Sequence, residues 1–353
     1  MATMATGEIR VSAAGLQEFT KQVFIRAGVP SEDAALEAEV LVWANLRGVD
    51  SHGVLRIPSY LEMIDAGMMN PRPKIQVLKE TPATLTIEGD RALGPVVTTL
   101  AMDRAMRKAR EVGIGWAVIR NTTHQGAMAY YALMAARQGM AGIAIVCSPP
   151  NMAPHGARAA GVHNSPISIA VPARRHRPLV LDMATSVAAG GKLRLAVDKD
   201  VPLPPGWALD KEGNPTTDAK RAAILVPFGG PKGSGLAMMF ETLTSLMVDN
   251  PLLEPALFGE PGASRHRQNS VVAVIDIATF TDVDRYRDHV DRLIDGLKML
   301  PRAEGATEIL VPGEPEDRCA EERGRNGVPL PEGTMRNLRA VAERFRLPLP
   351  PGL

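Results

Sequence analysis

The stretch from Gly113 to Pro172 constrains the fold more than any other part of the chain. It opens with a short apolar run, Trp116-Ala117-Val118-Ile119, which reads as a buried strand. A polar break follows, Asn121-Thr122-Thr123-His124-Gln125-Gly126, and then a helix-compatible segment from Ala127 to Gln138, rich in Ala, Met and Leu. Gly139 stands where a helix C-cap favours glycine. A second apolar run, Gly142 to Cys147, reads as the next strand. The unit is strand, polar turn, helix, strand, and its turn sets His124 at the mouth of the helix, where free backbone N–H groups gather.

An imidazole at such a position tends to stay neutral near pH 7, because a helix N-terminus disfavours positive charge. A neutral imidazole takes a proton from a hydroxyl and returns it in the reverse reaction. The plainer reading is that His124 only caps the turn by hydrogen bonding.

Composition narrows the classes. Apolar residues are 45% and charged residues 22% of 353, the profile of a soluble globular protein. A formal net charge of +1 gives no surplus for nucleic acid or a membrane surface. Cys147 and Cys319 stand far apart, with no disulfide framework or zinc-type spacing, which fits a reducing cytoplasm. The first residues have no charged segment followed by an apolar core, so no signal peptide is expected. No apolar run approaches the ~20 residues that span a bilayer.

The first region reads as helical. Ser12 caps a helix to Ala27 that Gly28 ends; Ser31 starts another, with Glu32 and Asp33 in its first turn, ended by Gly48. The polar stretch Arg47 to Arg56 follows, and Pro58 suits the first turn of the next helix. A loop from Gly67 to Pro73 marks a boundary. Beyond it the pattern alternates: strands within Ile75–Glu80 and Ala83–Glu88, with Gly89-Asp90 in a turn, then a helix from Val96 to Val112. After the central unit come strands at Ile167–Val171 and Leu179–Leu181, a helix from Val187 to Val197, and a Pro/Gly-rich loop from Val201 to Thr217. A strongly apolar helix from Leu236 to Val248, a strand at Val271–Ile277, a helix at Val283–Leu300 and a short strand at Glu308–Val311 precede a polar, helical tail.

Several constellations carry chemistry. Ser51 beside His52 raises the question of a hydrolase, but Val49-Asp50-Ser51-His52-Gly53 lacks the first glycine of a nucleophile elbow. Adjacent residues on a helix also rarely face one another. His52 and Arg56, four apart, would share one helical face and offer a guanidinium fork to a carboxylate, against the alternative of a capping His and a solvated Arg. Asp182-Met183-Ala184-Thr185-Ser186 puts an acid and two hydroxyls at a strand end, where ligand contacts and plain N-caps are equally common. Gly229-Gly230-Pro231-Lys232-Gly233 opens a helix with an anion site in outline, though its spacing is not that of a P-loop and a tight turn with an exposed lysine is the rival. No Gly-x-Gly-x-x-Gly fingerprint follows a strand. His155 and His163 share a loop without a carboxylate at ligand spacing, so no metal is expected.

Taken in order, these motifs resemble the type-2 malate/L-lactate dehydrogenase family of NAD(P)-dependent oxidoreductases. They are Arg47-Gly48-Val49-Asp50-Ser51-His52-Gly53 with Arg56, His124-Gln125-Gly126, Leu181 to Ser186, Gly230-Pro231-Lys232-Gly233 and Pro312-Gly313-Glu314. His-Gln-Gly resembles the ureidoglycolate dehydrogenase branch. The resemblance implies a non-Rossmann α/β fold, with a mixed, largely antiparallel sheet flanked by helices. It also implies a helical N-terminal part, 1–72, packing with the tail, 315–353, around a nicotinamide-cofactor-binding domain, 73–314. The active unit would be a cytoplasmic homodimer.

Roles follow by position. The resemblance makes His124 the catalytic acid/base, Ser51 and His52 an auxiliary pair, and Arg56 the carboxylate ligand. It assigns NAD or NADP to Ser148, Asp182, Met183, Ala184, Lys232 and Gly233, with Gly313 and Glu314. Where many members read Gly-Thr-Asn-Pro, this chain has His163-Asn164-Ser165-Pro166, which makes Asn164 the substrate contact. Where some members have an acid, this chain has Lys192, which leaves a Ser-His-acid relay open. The reading is hydride exchange with C2 of a small 2-hydroxy or 2-oxo acid, of malate, lactate or ureidoglycolate type. A Ser51/His52 hydrolase and a non-catalytic ligand-binding protein on the same fold are the rivals.

Overall fold

The computed structural model describes residues 9–198, 200–263, 265 and 267–353. They form two compact units: the described residues up to Pro73 with Pro315–Leu353, and Lys74–Glu314.

The first unit begins with β1 (Arg10–Val11), α1 (Ala13–Arg26), α2 (Ser31–Leu46) and α3 (Ile57–Asp65). Ser12 Oγ accepts from Gly15 N at 3.1 Å, the expected N-cap. Pro58 lies in the first turn of α3, where its missing N–H has no intrahelical partner to lose. The stretch before α3 departs from expectation. Asp50–His52 and Val54–Arg56 are two 3₁₀ turns split by Gly53 in an extended conformation (φ −95°, ψ −155°), so His52 and Arg56 do not share one α-helical face.

The second unit is a seven-stranded mixed sheet flanked by helices. Its elements begin with β2 (Gln76–Glu80), β3 (Thr84–Glu88), α4 (Gly94–Val112), β4 (Ile114–Thr122), α5 (Ala129–Arg137) and β5 (Ala141–Cys147). They continue with β6 (Ile167–Val171), β7 (Leu179–Met183), α6 (Gly190–Asp198), β8 (Ala208–Leu209), β9 (Pro215–Thr216) and β10 (Ile224–Leu225). The last are α7 (Pro231–Thr244), α8 (Leu253–Leu257), β11 (Gln268–Ile275) and α9 (Val283–Lys298). The strand order is β2-β3-β4-β11-β5-β6-β7, and only β3 and β4 pair in parallel. On one face Phe240 of α7 packs with Val118, Ile145, Cys147 and Val271. On the other, Gly115 and Gly142 lie so close to the backbone of Ala105 in α4 and Ala132 in α5 that a Cβ would collide.

Four expectations need correction. The Pro/Gly-rich loop is not structureless: β8 pairs with both β9 and β10 in a small antiparallel sheet of two-residue strands. Neither Thr185 nor Ser186 caps a helix, because α6 starts at Gly190; Ser186 instead bridges to Pro227, and its Oγ donates to Ala188 O at 2.7 Å. The apolar helix starts at Pro231 rather than Leu236, placing Lys232 and Gly233 in its first turn. Glu308–Val311 forms no strand; just past it Pro312 O accepts from Val180 N of β7 at 3.3 Å.

The chain ends in α10 (Glu314–Asn326), β12 (Val328–Pro329) and α11 (Glu332–Phe345). Within the first unit β12 pairs with β1, and α11 packs on α1 and α3.

Candidate active site

His124 follows the end of β4. From Thr122 to Leu133 it is the one residue that is not buried. The loop beneath it is pinned: Thr123 Oγ1 donates to Ala92 O at 2.8 Å, Gln125 N to Gln268 Oε1 at 3.1 Å, and Tyr131 Oη to Gln125 O at 2.5 Å. Gly126 N donates to His124 Nδ1 at 3.2 Å, which leaves the neutral ring its proton on Nε2. The helix end proposed to keep this imidazole neutral is otherwise engaged: Asp182 Oδ2 accepts from Ala129 N, the first residue of α5, at 2.9 Å. A carboxylate is the favoured occupant of that position.

Asp182 lies opposite Ser168 in the β6–β7 ladder, and the segment after it is knit to the Gly-rich turn. Thr185 N donates to Asn164 O at 3.0 Å, Phe228 N to Thr185 O at 3.0 Å, and Gly233 N to Phe228 O at 2.9 Å. A Cβ on Gly233 would strike Thr185 O, so only glycine lets the turn close on this strand end. Gly229 and Gly230 have φ of +53° and +57°. The Lys232 stem lies over Gly229, its side chain is exposed, and no hydrogen bond or ion pair engages it among the described residues. Thr185 Oγ1 is buried with no partner among the described residues. Asn164 and Asn151 exchange two bonds, Asn151 Nδ2 to Asn164 Oδ1 at 3.0 Å and Asn164 N to Asn151 Oδ1 at 2.9 Å. Thus Asp182, Met183, Ala184, Asn164, Lys232 and Gly233 lie along one bonded run that begins beside the His124 loop.

The other residues of this unit that the resemblance points to sit apart from that run or are engaged in structure. Ser148, past the end of β5, is buried and donates to Arg267 O at 3.1 Å. Gly313 has φ +89° and lies against Val180 on β7. Glu314 Oε2 accepts from Lys298 Nζ at 2.6 Å and from Val311 N at 3.2 Å. Lys192 Nζ stands 5.8 Å from the Trp207 ring centroid, in a cation–π contact. His155 is exposed beside Gly230, whereas His163 is buried with Nδ1 3.3 Å from Ser165 Oγ. Burial pushes the Cys147 thiol up to about 12, which removes it as a nucleophile. Among the described residues no group of three His, Cys, Asp or Glu could hold a metal ion.

Ser51, His52 and Arg56 belong to the first unit. Contrary to the helical argument, Ser51 Oγ and His52 Nδ1 do meet, at 2.9 Å, because Asp50–His52 is a 3₁₀ turn. Arg56 Nε donates to Ser51 O at 2.8 Å, drawing the guanidinium to the same turn. The other motif residues hold it in place. Arg323 Nη1 and Nη2 reach Asp50 at 2.7 and 3.1 Å, Arg47 pairs with Asp317, and Gly48 leaves room for Cys319. Asn45 Oδ1 accepts from Val54 N at 2.8 Å and fills the space a Cβ on Gly53 would need.

Sequence reading missed Thr98, whose Oγ1 lies 2.9 Å from Gln125 Oε1, and Asn151. Gly94 before Pro95 was a usable signal: its missing Cβ lets α4 touch the backbone of His124 and Gln125.

A model of the malate/L-lactate dehydrogenase family matches residues 11–339. The chain belongs to this family. It is an oxidoreductase. It is 37% identical to the L-sulfolactate dehydrogenase of Methanocaldococcus jannaschii over 92% of this chain and 94% of that one. It is 30% identical to the ureidoglycolate dehydrogenase (NAD(+)) of Escherichia coli O157:H7 over 91% and 93%. The solved structure of malate dehydrogenase from Pyrococcus horikoshii superposes with a TM-score of 0.88 at 33% identity, covering 99% of both chains. Family membership does not favour the hydrolase or the non-catalytic reading.

Proposed function

We propose that this dehydrogenase interconverts a small 2-hydroxy acid and its 2-oxo acid with NAD or NADP, with His124 moving the hydroxyl proton. The observation that carries the reading is the bonded run from the His124 loop through Asp182 and Thr185 to the Lys232 turn. That run fits a nicotinamide cofactor. It offers an exposed ammonium without an ion pair among the described residues, two glycines at positive φ, and the unpartnered hydroxyl of Thr185. Lys232, Gly233, Asp182, Met183, Ala184 and Ser148 are the residues proposed to hold it, with Gly313 and Glu314 shaping the β7 edge. It needs no Gly-x-Gly-x-x-Gly turn, which supports a non-Rossmann mode of cofactor binding.

When bound, the cofactor supplies the hydride acceptor for C2 of the hydroxy acid. His124 takes the hydroxyl proton at Nε2 in the tautomer that carries the ring's own proton on Nδ1. To do so the ring must give up the contact between Nδ1 and Gly126 N–H, a neutral bond near the long end of the usual range. Such a bond contributes only about 0.5–1.5 kcal/mol, so it does not bar the transfer. Arg56 holds the substrate carboxylate, with Ser51 and His52 beside it, and Asn164 contacts the substrate through its amide.

The exposed apolar face of α7 and the turn after it, with Met238 and Met239 each 55% and Met247 59% exposed, supports the homodimer. Among the described residues no helix is long and apolar enough to cross a membrane, in keeping with the cytoplasmic setting proposed.

The test is oxidation of L-malate, L-lactate, L-sulfolactate and ureidoglycolate with each cofactor, followed by the absorbance of reduced nicotinamide. His124→Gln is expected to lower kcat by about 10²–10⁴ with cofactor binding retained. A wild-type rate in His124→Gln together with a dead His52→Gln would move the base to His52. No turnover of any acid with either cofactor would refute the reading.

A further inference from the structure

Gln125 is buried to 1% exposure and yet carries one amide atom, Nε2, with no hydrogen-bond partner among the described residues. Its other amide atom, Oε1, lies 2.9 Å from Thr98 Oγ1. Thr98 Oγ1 also donates to Gly94 O at 2.7 Å. A hydroxyl has one proton, so Thr98 cannot donate to both. The amide therefore belongs in the reversed orientation, in which Gln125 Nε2 donates to Thr98 and Thr98 donates to Gly94 O. In the orientation present Nε2 is left unsatisfied, whereas the reversed amide reaches Thr98 through Nε2. A buried polar atom left unsatisfied is ordinarily destabilising.

Gly94 and Thr98 are one turn apart on α4, and together they form a seat for the peptide that carries His124. The Cβ position of Gly94 is taken up by His124 O and lies 2.5 Å from Gln125 Cα. The backbone of the two residues thus rests directly on α4. Three bonds then fix Gln125 itself, through its N–H to Gln268, its C=O to Tyr131 and its side chain to Thr98. His124, next in sequence and half-exposed, inherits that placement.

We propose that Gln125 is a positioning residue for His124, acting through the Thr98–Gly94 seat on α4. The inference rests on His124 being the acid/base group. A buried amide held this way can serve the stability of the loop or the aim of His124. The two roles separate on replacement by a side chain of similar shape and no polar atoms. Gln125→Met removes the bond to Thr98 together with both buried amide atoms, while Thr98 keeps its bond to Gly94 O, so the melting temperature is expected to hold. Misplacing His124 by about 1 Å is expected to lower kcat on the order of 10²-fold.

The experiment is kcat and its pH profile for L-malate oxidation in the full-length enzyme, or for whichever acid of the panel above turns over fastest, with thermal melting and cofactor affinity on the same samples. Gln125→Met should lower kcat and shift the imidazole limb of the profile, with cofactor affinity unchanged. Thr98→Val should act in the same direction, Thr98→Ser should restore what Thr98→Val loses, and the Gln125→Met/Thr98→Val pair should lose no more than the worse single variant. If His124→Gln has lost its rate while Gln125→Met keeps wild-type kcat and limb, the inference is overturned and the function stands. If Gln125→Met melts early and its kcat, corrected for folded protein, is unchanged, Gln125 is structural and the inference is likewise overturned. A wild-type rate in His124→Gln would overturn both.

Discussion

Replacing Glu37 should make the protein more stable, and increasingly so as pH rises. Glu37 lies on α2 at 1% exposure, and both carboxyl oxygens are without a hydrogen-bond partner among the described residues. Burial pushes its pKa from 4.5 up to about 8; burial and then the nearby Glu37 carboxyl raise the Tyr60 phenol. The direction is opposite to that of a salt-bridged acid. Between the unfolded and the folded pKa the native state holds a proton that the unfolded chain has released, so stability falls as pH rises through that window. The slope is about 1.4 kcal/mol per pH unit, which amounts to roughly 3 kcal/mol by pH 7 and levels off above the folded pKa. Glu37→Met, of similar length and able to fill the same space, is expected to remove that loss. The assay is urea unfolding of wild type and variant at pH 5, 6, 7 and 8, with infrared absorption of the protonated carboxyl as a direct check. The stability difference should grow with pH, and the protonated carboxyl band present in wild type at pH 7 should vanish in the variant. A difference independent of pH, or a wild-type carboxyl already ionised at pH 6, would refute the argument.

Two further outcomes bear on the site. Lys232→Ala is expected to weaken nicotinamide cofactor binding by about 1.5–3 kcal/mol, the worth of a charge-assisted bond, with circular dichroism unchanged; equal affinity by fluorescence titration would return the Gly-rich stretch to a plain tight turn. Arg56→Lys keeps the charge and loses the fork, so KM for the acid should rise while cofactor affinity stays put; the same change with a substrate amide lacking the carboxylate would show that Arg56 serves the 3₁₀ turns and not the substrate.

Most of the large elements were legible because their cores repeat at one period. The runs that became β4, β5, β6 and β11 are apolar and bounded by polar or glycine residues, and α4 and α9 keep one apolar stripe. What escaped depends on partners far away in the chain. The two-residue strands β8, β9 and β10 are too short to show alternation, and exist because they pair with one another. The Ser51–His52 contact turned on whether residues 50–56 were α-helical, which Arg323 and Asn45 help decide. His124 was found as a polar residue at a strand–helix junction, but the occupant of the α5 N-terminus, Asp182, comes from β7. Glu37 looked no different from Glu32 on the same helix; only the packing around α2 separates a buried acid from an exposed one.

The anchoring of the Asp50–Arg56 segment has a consequence for biosynthesis. Asp50 is clamped by Arg323, 273 positions later, and β1 is completed by β12. During synthesis, which proceeds at about 5–20 residues per second, all of Lys74–Glu314 leaves the ribosome before those clamps exist. The nascent chain therefore carries α1 and α2 with their later partners still unmade, and Ser51, His52 and Arg56 acquire their fixed geometry only once α10 has formed. Truncation within α10 would leave the sheet and the His124 loop with all their residues yet release this turn, and ribosome stalling after Glu314 would yield a chain that holds every residue of the sheet but lacks the Arg323 clamp on Asp50.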